Sequence, residues 1–125
     1  MLKIILVLLG GAIGTGCRYG LSSLIYYHIE RPTFPYANFV INISGSFAIG
    51  LLAELFDGRA LVSPTMRATL LTGFLGGYTT FSSFSYETFS LIRDGEWFRA
   101  TLNSVGSVLL GLVAVWLGVR LAQSL

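Results

Sequence analysis

The residues from Gly73 to Glu87, Gly73-Phe74-Leu75-Gly76-Gly77-Tyr78-Thr79-Thr80-Phe81-Ser82-Ser83-Phe84-Ser85-Tyr86-Glu87, gather hydroxyls, glycines and aromatic rings inside an otherwise apolar run. Paired glycines followed by two threonines weaken a helix without any proline, because glycine costs ~1 kcal/mol relative to alanine and threonine is stiff at its first side-chain torsion. Carbonyls released from a helix ladder need partners, and protein, water or an ion can supply them. Hard carbonyl oxygens suit a small hard cation such as sodium. The same spacing also fits a glycine-mediated close crossing of two helices, with threonine hydroxyls bonding back to the preceding turn.

Other polar residues recur at helical intervals. Asn38, Asn42 and Ser46 lie four apart on one face, and Asn103 and Ser107 do the same, with Gly111 continuing the line. A single Ser or Asn in an apolar helix usually bonds a neighbouring helix, at ~0.6 kcal/mol. As a set they supply hydrogen-bond donors on three segments with no acidic residue near the middle of any, and donors without carboxylates suit an anion. Arg18, 15 residues beyond Lys3, lies about 22 Å along a helix, too deep for an end anchor. An arginine at that depth is a functional candidate, expected to line a watery vestibule, with Glu87 either its partner or an interfacial group. Phe81 and Phe84 are three apart, so their rings lie near one helix face, and ring edges carry the positive part of the quadrupole. Gly10 and Gly14 allow close helix contact.

The elements that must position these groups follow from composition. The chain has 125 residues, only 8 Lys/Arg and 6 Asp/Glu, 54% hydrophobic residues and 11% charged, where a soluble domain shows roughly 25%. Its mean hydropathy is +0.73. Too little polar surface remains to coat a globule, so the solvent is lipid. A span needs ~20 apolar residues, and charges and prolines divide the chain into four stretches at about 2–27, 36–56, 67–92 and 97–122. His28 to Pro35, Asp57 to Pro64 and Arg93 to Glu96 form the turns and contain all three prolines. Irregular backbone in hydrocarbon leaves amides unsatisfied. The expected fold is therefore all-α, a single four-helix transmembrane domain with a break in the third helix.

Several functions are excluded by what is missing. The net charge of +2 comes from scattered residues, which indicates no nucleic acid. One cysteine permits no internal disulfide and no cysteine-based metal cluster; Cys17 is expected to pack inside the first span. The lone histidine, His28, falls in a turn, so no hydrolase constellation exists and the chain is not an enzyme. Lys3 before an apolar run resembles a signal peptide, but helical spacing continues to Tyr27 and the segment is expected to remain a span.

Topology rests on a charge count. With four spans, Lys3, Arg59, Arg67 and Arg120 share one side and Arg31, Arg93 and Arg99 the other, so the positive-inside rule has almost nothing to act on. The chain is expected to insert both ways and pair as an antiparallel homodimer. The midpoint of the third stretch lies between Thr79 and Thr80, near the bilayer midplane, where two breaks can meet on the two-fold axis.

The run from Gly73 to Ser85 resembles the signature of the Fluc (CrcB) fluoride channels. The resemblance extends to Gly10-Gly11-Ala12-Ile13-Gly14 with Arg18, to Asn38-Phe39-Val40-Ile41-Asn42-Ile43-Ser44-Gly45-Ser46-Phe47, and over essentially the whole chain. It implies a dual-topology homodimer in the plasma membrane, with two fluoride pores and a structural sodium ion on the two-fold axis, protecting the cell from fluoride that accumulates as HF. Residue by residue, it implies Phe81 and Phe84 as the phenylalanine box, Asn42 beside them, and Thr80 and Ser83 near the path. Asn103 and Ser107 fall on a polar track, Glu87 near the pore mouth, and the sodium on the carbonyls of Gly76 and Thr79. Asn103 stands where some members have tyrosine, and Gly111 where some have serine. The alternative of equal size and dual topology is a small multidrug-resistance-type proton-coupled exporter. That function needs a membrane-embedded carboxylate in the first span, where this chain has Arg18.

Overall fold

The computed structural model describes residues 1–58 and 62–125; Arg59, one of the charges counted above, lies outside the described residues. Helix α1 runs Leu2–Tyr27, ending where His28 sets its Nδ1 3.0 Å from the Leu24 carbonyl. Pro32 and Pro35 then keep the connection out of helix, and α2 occupies Tyr36–Gly58. Asp57 and Gly58, expected in the turn, continue α2, and Asp57 there pairs with Arg67.

The next helix starts three residues earlier than its charge pattern predicts. Ser63 is the cap: its Oγ accepts from the Met66 amide at 3.1 Å, and Pro64 takes the first helical position, where a missing N–H costs nothing. From there α3 (Pro64–Arg67) widens into a π-helical stretch, Ala68–Phe74, and tightens again into α4 (Leu75–Tyr78). Thr79 and Thr80 are extended, with φ/ψ of −85°/162° and −151°/127°. Helix α5 (Phe81–Arg93) follows, capped by the Thr80 hydroxyl, which accepts from the Ser83 amide at 3.3 Å. Gly95 closes the last turn at φ 78°, a left-handed conformation that suits glycine, and α6 spans Trp97–Ser124.

Among the described residues every regular element is helical, and α1, α2 and α6 are long and apolar enough to cross a membrane. With the third segment they assemble as two close pairs. Helix α1 packs on the π-helical stretch and α4, and α2 packs along α6, with α5 leaning on α6. Small residues set both crossings. A Cβ at Gly14 would overlap the Phe74 carbonyl and one at Gly77 the Gly11 backbone; at the other crossing, Gly50 meets the Val115 backbone and Gly118 that of Phe47. Backbones this close gain contact that larger side chains would forbid, the usual basis of helix association in lipid. The interior is small, with Ile41, Ala37, Leu75 and Ala100 buried, while Leu8, Ile13, Leu112 and Trp116 face outward, as lipid-facing side chains do. Cys17, expected inside, is exposed on α1.

Candidate functional site

Between α2, the Thr79–Thr80 interruption and α6 lies an open cleft of about 410 Å³. Its walls carry Asn42 and Ser46 from α2, Gly76 from α4, Thr79, Thr80, Phe81 and Phe84 from the interruption and the start of α5, and Ser107 from α6. Among the described residues no carboxylate lines it. The spacing of Asn42, Ser46 and Ser107 thus brings polar groups of separate helices to one cavity. The Phe81 and Phe84 rings sit 5.8 Å apart at 40°, Phe81 being 79% exposed.

The interruption is held by side chains that replace the missing helical bonds. Asn42 commits both ends of its amide to Thr80: Oδ1 accepts from the Thr80 amide at 2.9 Å and Nδ2 donates to the Thr80 carbonyl at 3.1 Å. The Thr79 hydroxyl donates back to the Leu75 carbonyl at 3.0 Å. Arg18 donates its Nε to the Gly77 carbonyl at 3.0 Å, joined by the Thr15 hydroxyl at 3.4 Å. A fixed cation there also meets the negative end of the α4 dipole. Among the described residues no hydrogen bond reaches the carbonyls of Gly76 or Thr79. Gly76 itself faces open space, unlike Gly77, which α1 covers.

The remaining expected site residues lie around the cleft rather than on its walls. Ser83 sits one turn into α5, its Oγ accepting from the Thr80 hydroxyl at 3.2 Å. Glu87 is not the partner of Arg18. Its Oε1 accepts from Asn38 Nδ2 of α2 at 2.7 Å, and its Oε2 is buried without a partner among the described residues. Asn103 is buried between α6 and α5, where Nδ2 donates to the Thr88 hydroxyl at 2.9 Å. Ser107 Oγ, one turn further, is buried and unpartnered among the described residues while its residue lines the cleft. Sequence reasoning missed Thr15, three residues before Arg18 and so on the same face, and Thr88, four beyond Phe84. It also missed Ser44, whose hydroxyl lies 2.8 Å from that of Tyr78.

Among the described residues no group of three or more His, Cys, Asp or Glu could hold a metal, so a cation's ligands here would be backbone carbonyls. The open carbonyls of Gly76 and Thr79 fit that requirement.

The chain is similar over nearly its full length to proteins named "Fluoride-specific ion channel FluC". One from Opitutus terrae is 53% identical over 114 residues, covering 90% of this chain and 86% of that protein. Another from Geotalea daltonii is 49% identical over 123 residues, 98% of each chain. A third, from Geobacter sulfurreducens, is 44% identical over 125 residues, the whole of both. The family model described as "CrcB-like protein, Camphor Resistance (CrcB)" matches residues 5–119. With that match and relatives of this identity along its whole length, the chain belongs to the CrcB family.

Proposed function

We propose that the protein is a fluoride-selective ion channel of the plasma membrane, a multi-pass transport protein rather than an enzyme, which lets toxic fluoride leave the cell by passive electrodiffusion. The carrying observation is the cleft in which Asn42, Thr80, Phe81, Phe84 and Ser107 meet without a carboxylate. Fluoride is small and strongly hydrated, so a pore must replace its water with close donors. The second Nδ2 hydrogen of Asn42 and the hydroxyl protons of Ser107 and of Ser83, whose Oγ accepts from Thr80, supply them, and ring edges of Phe81 and Phe84 hold the anion without a charge that would trap it. Release into water passes Glu87 and Arg18 at the periphery, with Asn103 on the flank of α6. A proton-coupled exporter is disfavoured because α1 contains no carboxylate.

In this reading the segments from Pro64 to Arg93 together make a fourth crossing, interrupted at Thr79 and Thr80 near the midplane. Two chains of opposite orientation form an antiparallel homodimer with two pores. The Gly76 and Thr79 carbonyls of both copies then hold one structural sodium, which supplies positive charge to oxygen atoms that lack a donor. Lining the cleft at an unsatisfied, open backbone supports this role for them.

The test is efflux from proteoliposomes loaded with fluoride or chloride and followed with ion electrodes. Fluoride should leave rapidly once potassium ionophore relieves the charge, and chloride should stay. Equal release of both anions would overturn the reading.

A further inference from the structure

Asn103 is 1% exposed and absent from the walls of the cleft, so the side chain expected on the polar track does not touch it. Its amide instead starts a directed relay. Nδ2 donates to Thr88 Oγ1 at 2.9 Å, and Thr88 Oγ1 donates to the Phe84 carbonyl at 2.8 Å. A hydroxyl has one proton; with the amide N–H on its lone pair, that proton is committed to Phe84. A threonine bonding back four residues bends a helix locally, so the relay fixes both the backbone carrying the Phe84 ring and the distance of that backbone from α6. Ser107, four residues beyond Asn103 on the same face, lines the cleft opposite. The same relay therefore sets the spacing between the Phe84 ring and the Ser107 hydroxyl.

We propose that Asn103 and Thr88 form a latch that positions the Phe84 ring, so that Asn103 governs fluoride conduction through Phe84 and never contacts the ion. The inference rests on the channel reading, with Phe84 in the pathway. Asn103 and Thr88 are positioning residues.

The experiment compares wild type, Asn103→Leu, Thr88→Val and Thr88→Ser, each carrying 4-fluorophenylalanine at position 84 or at position 81, by fluoride efflux and by fluorine NMR. Loss of one buried hydrogen bond should lower efflux about five- to tenfold in Asn103→Leu and Thr88→Val. The position-84 resonance should shift or split while that at position 81 stays, and Thr88→Ser should restore both signals. Reduced efflux with an unmoved position-84 resonance would place Asn103 on the ion path and overturn the latch. A moved resonance with full efflux would reduce the relay to packing and overturn it equally. If Asn103→Leu does not assemble, Thr88→Val, checked for an unchanged thermal melt, decides alone. A wild type that passes chloride as well as fluoride would sink the channel reading, whatever the resonances show. Either mixed pattern in a fluoride-selective wild type overturns only the latch.

Discussion

Asn42 acts on Thr80 much as a neighbouring strand would, giving one acceptor and one donor to the two backbone groups of an extended residue. Asn42→Asp keeps the acceptor but faces the Thr80 carbonyl with a second oxygen and puts a negative charge at the cleft. Fluoride efflux should fall by well over about tenfold, since losing a buried bond costs ~1–3 kcal/mol. Replacing Phe81 or Phe84 with isoleucine retains apolar bulk and removes the ring edge. Each should lower fluoride flux about two- to tenfold, from ~0.5–1.5 kcal/mol of lost ring interaction, with the assembly intact by size-exclusion chromatography. Spacing set Asn42, Phe81 with Phe84, and Ser107 on the helix faces that line the cleft, while the family resemblance alone put Asn42 beside the rings. Spacing failed for Asn103, because four-residue spacing assigns a shared face but not the neighbour that covers each position. The α5–α6 crossing covers Asn103 with Thr88 and leaves Ser107 on the cleft.

Within the third segment the two expectations for Gly76-Gly77-Tyr78-Thr79-Thr80 apply to different residues. Gly77 is the close crossing, pressed on Gly11, and the Thr79 hydroxyl bonds back to Leu75, whereas Gly76 is open and its carbonyl accepts no hydrogen bond among the described residues. One glycine of the pair serves packing and the other leaves an oxygen available. The weakness of this stretch was legible from glycine and threonine propensities, and the helix limits from prolines and charges except at the end of α2, which runs on to Gly58, and the start of α3 at Pro64. The π-helical widening at Ala68–Phe74 was not, because the packing of Gly73 on Val7 is a tertiary contact. Gly14→Val should disrupt the α1 crossing, costing ~1–3 kcal/mol or more for overpacking against backbone, while Gly16→Ala, which meets nothing, should leave the thermal melt unchanged. Arg18→Leu removes the stronger of the two bonds to the Gly77 carbonyl, so the melting temperature should fall with the ~1.5–3 kcal/mol typical of a lost hydrogen bond to a charged group. A melt equal to wild type would show that Arg18 does not hold the interruption.

At the scale of the molecule, small interiors and outward-facing leucines follow directly from a composition with 11% charged residues. The near-even distribution of Lys and Arg leads to a further expectation: a single cysteine placed in a C-terminal tag, on a background without Cys17, should be labelled from both sides of the membrane. Labelling from one side alone would reject dual orientation. If sodium is structural, current should be carried by fluoride with no net sodium movement. The central claim is most directly tested by the reversal potential of the reconstituted channel under a tenfold fluoride gradient, with chloride and sodium equal on both sides. Fluoride-selective conduction predicts a reversal at about 59 mV, the equilibrium potential of a singly charged ion, whereas a reversal near zero would contradict it.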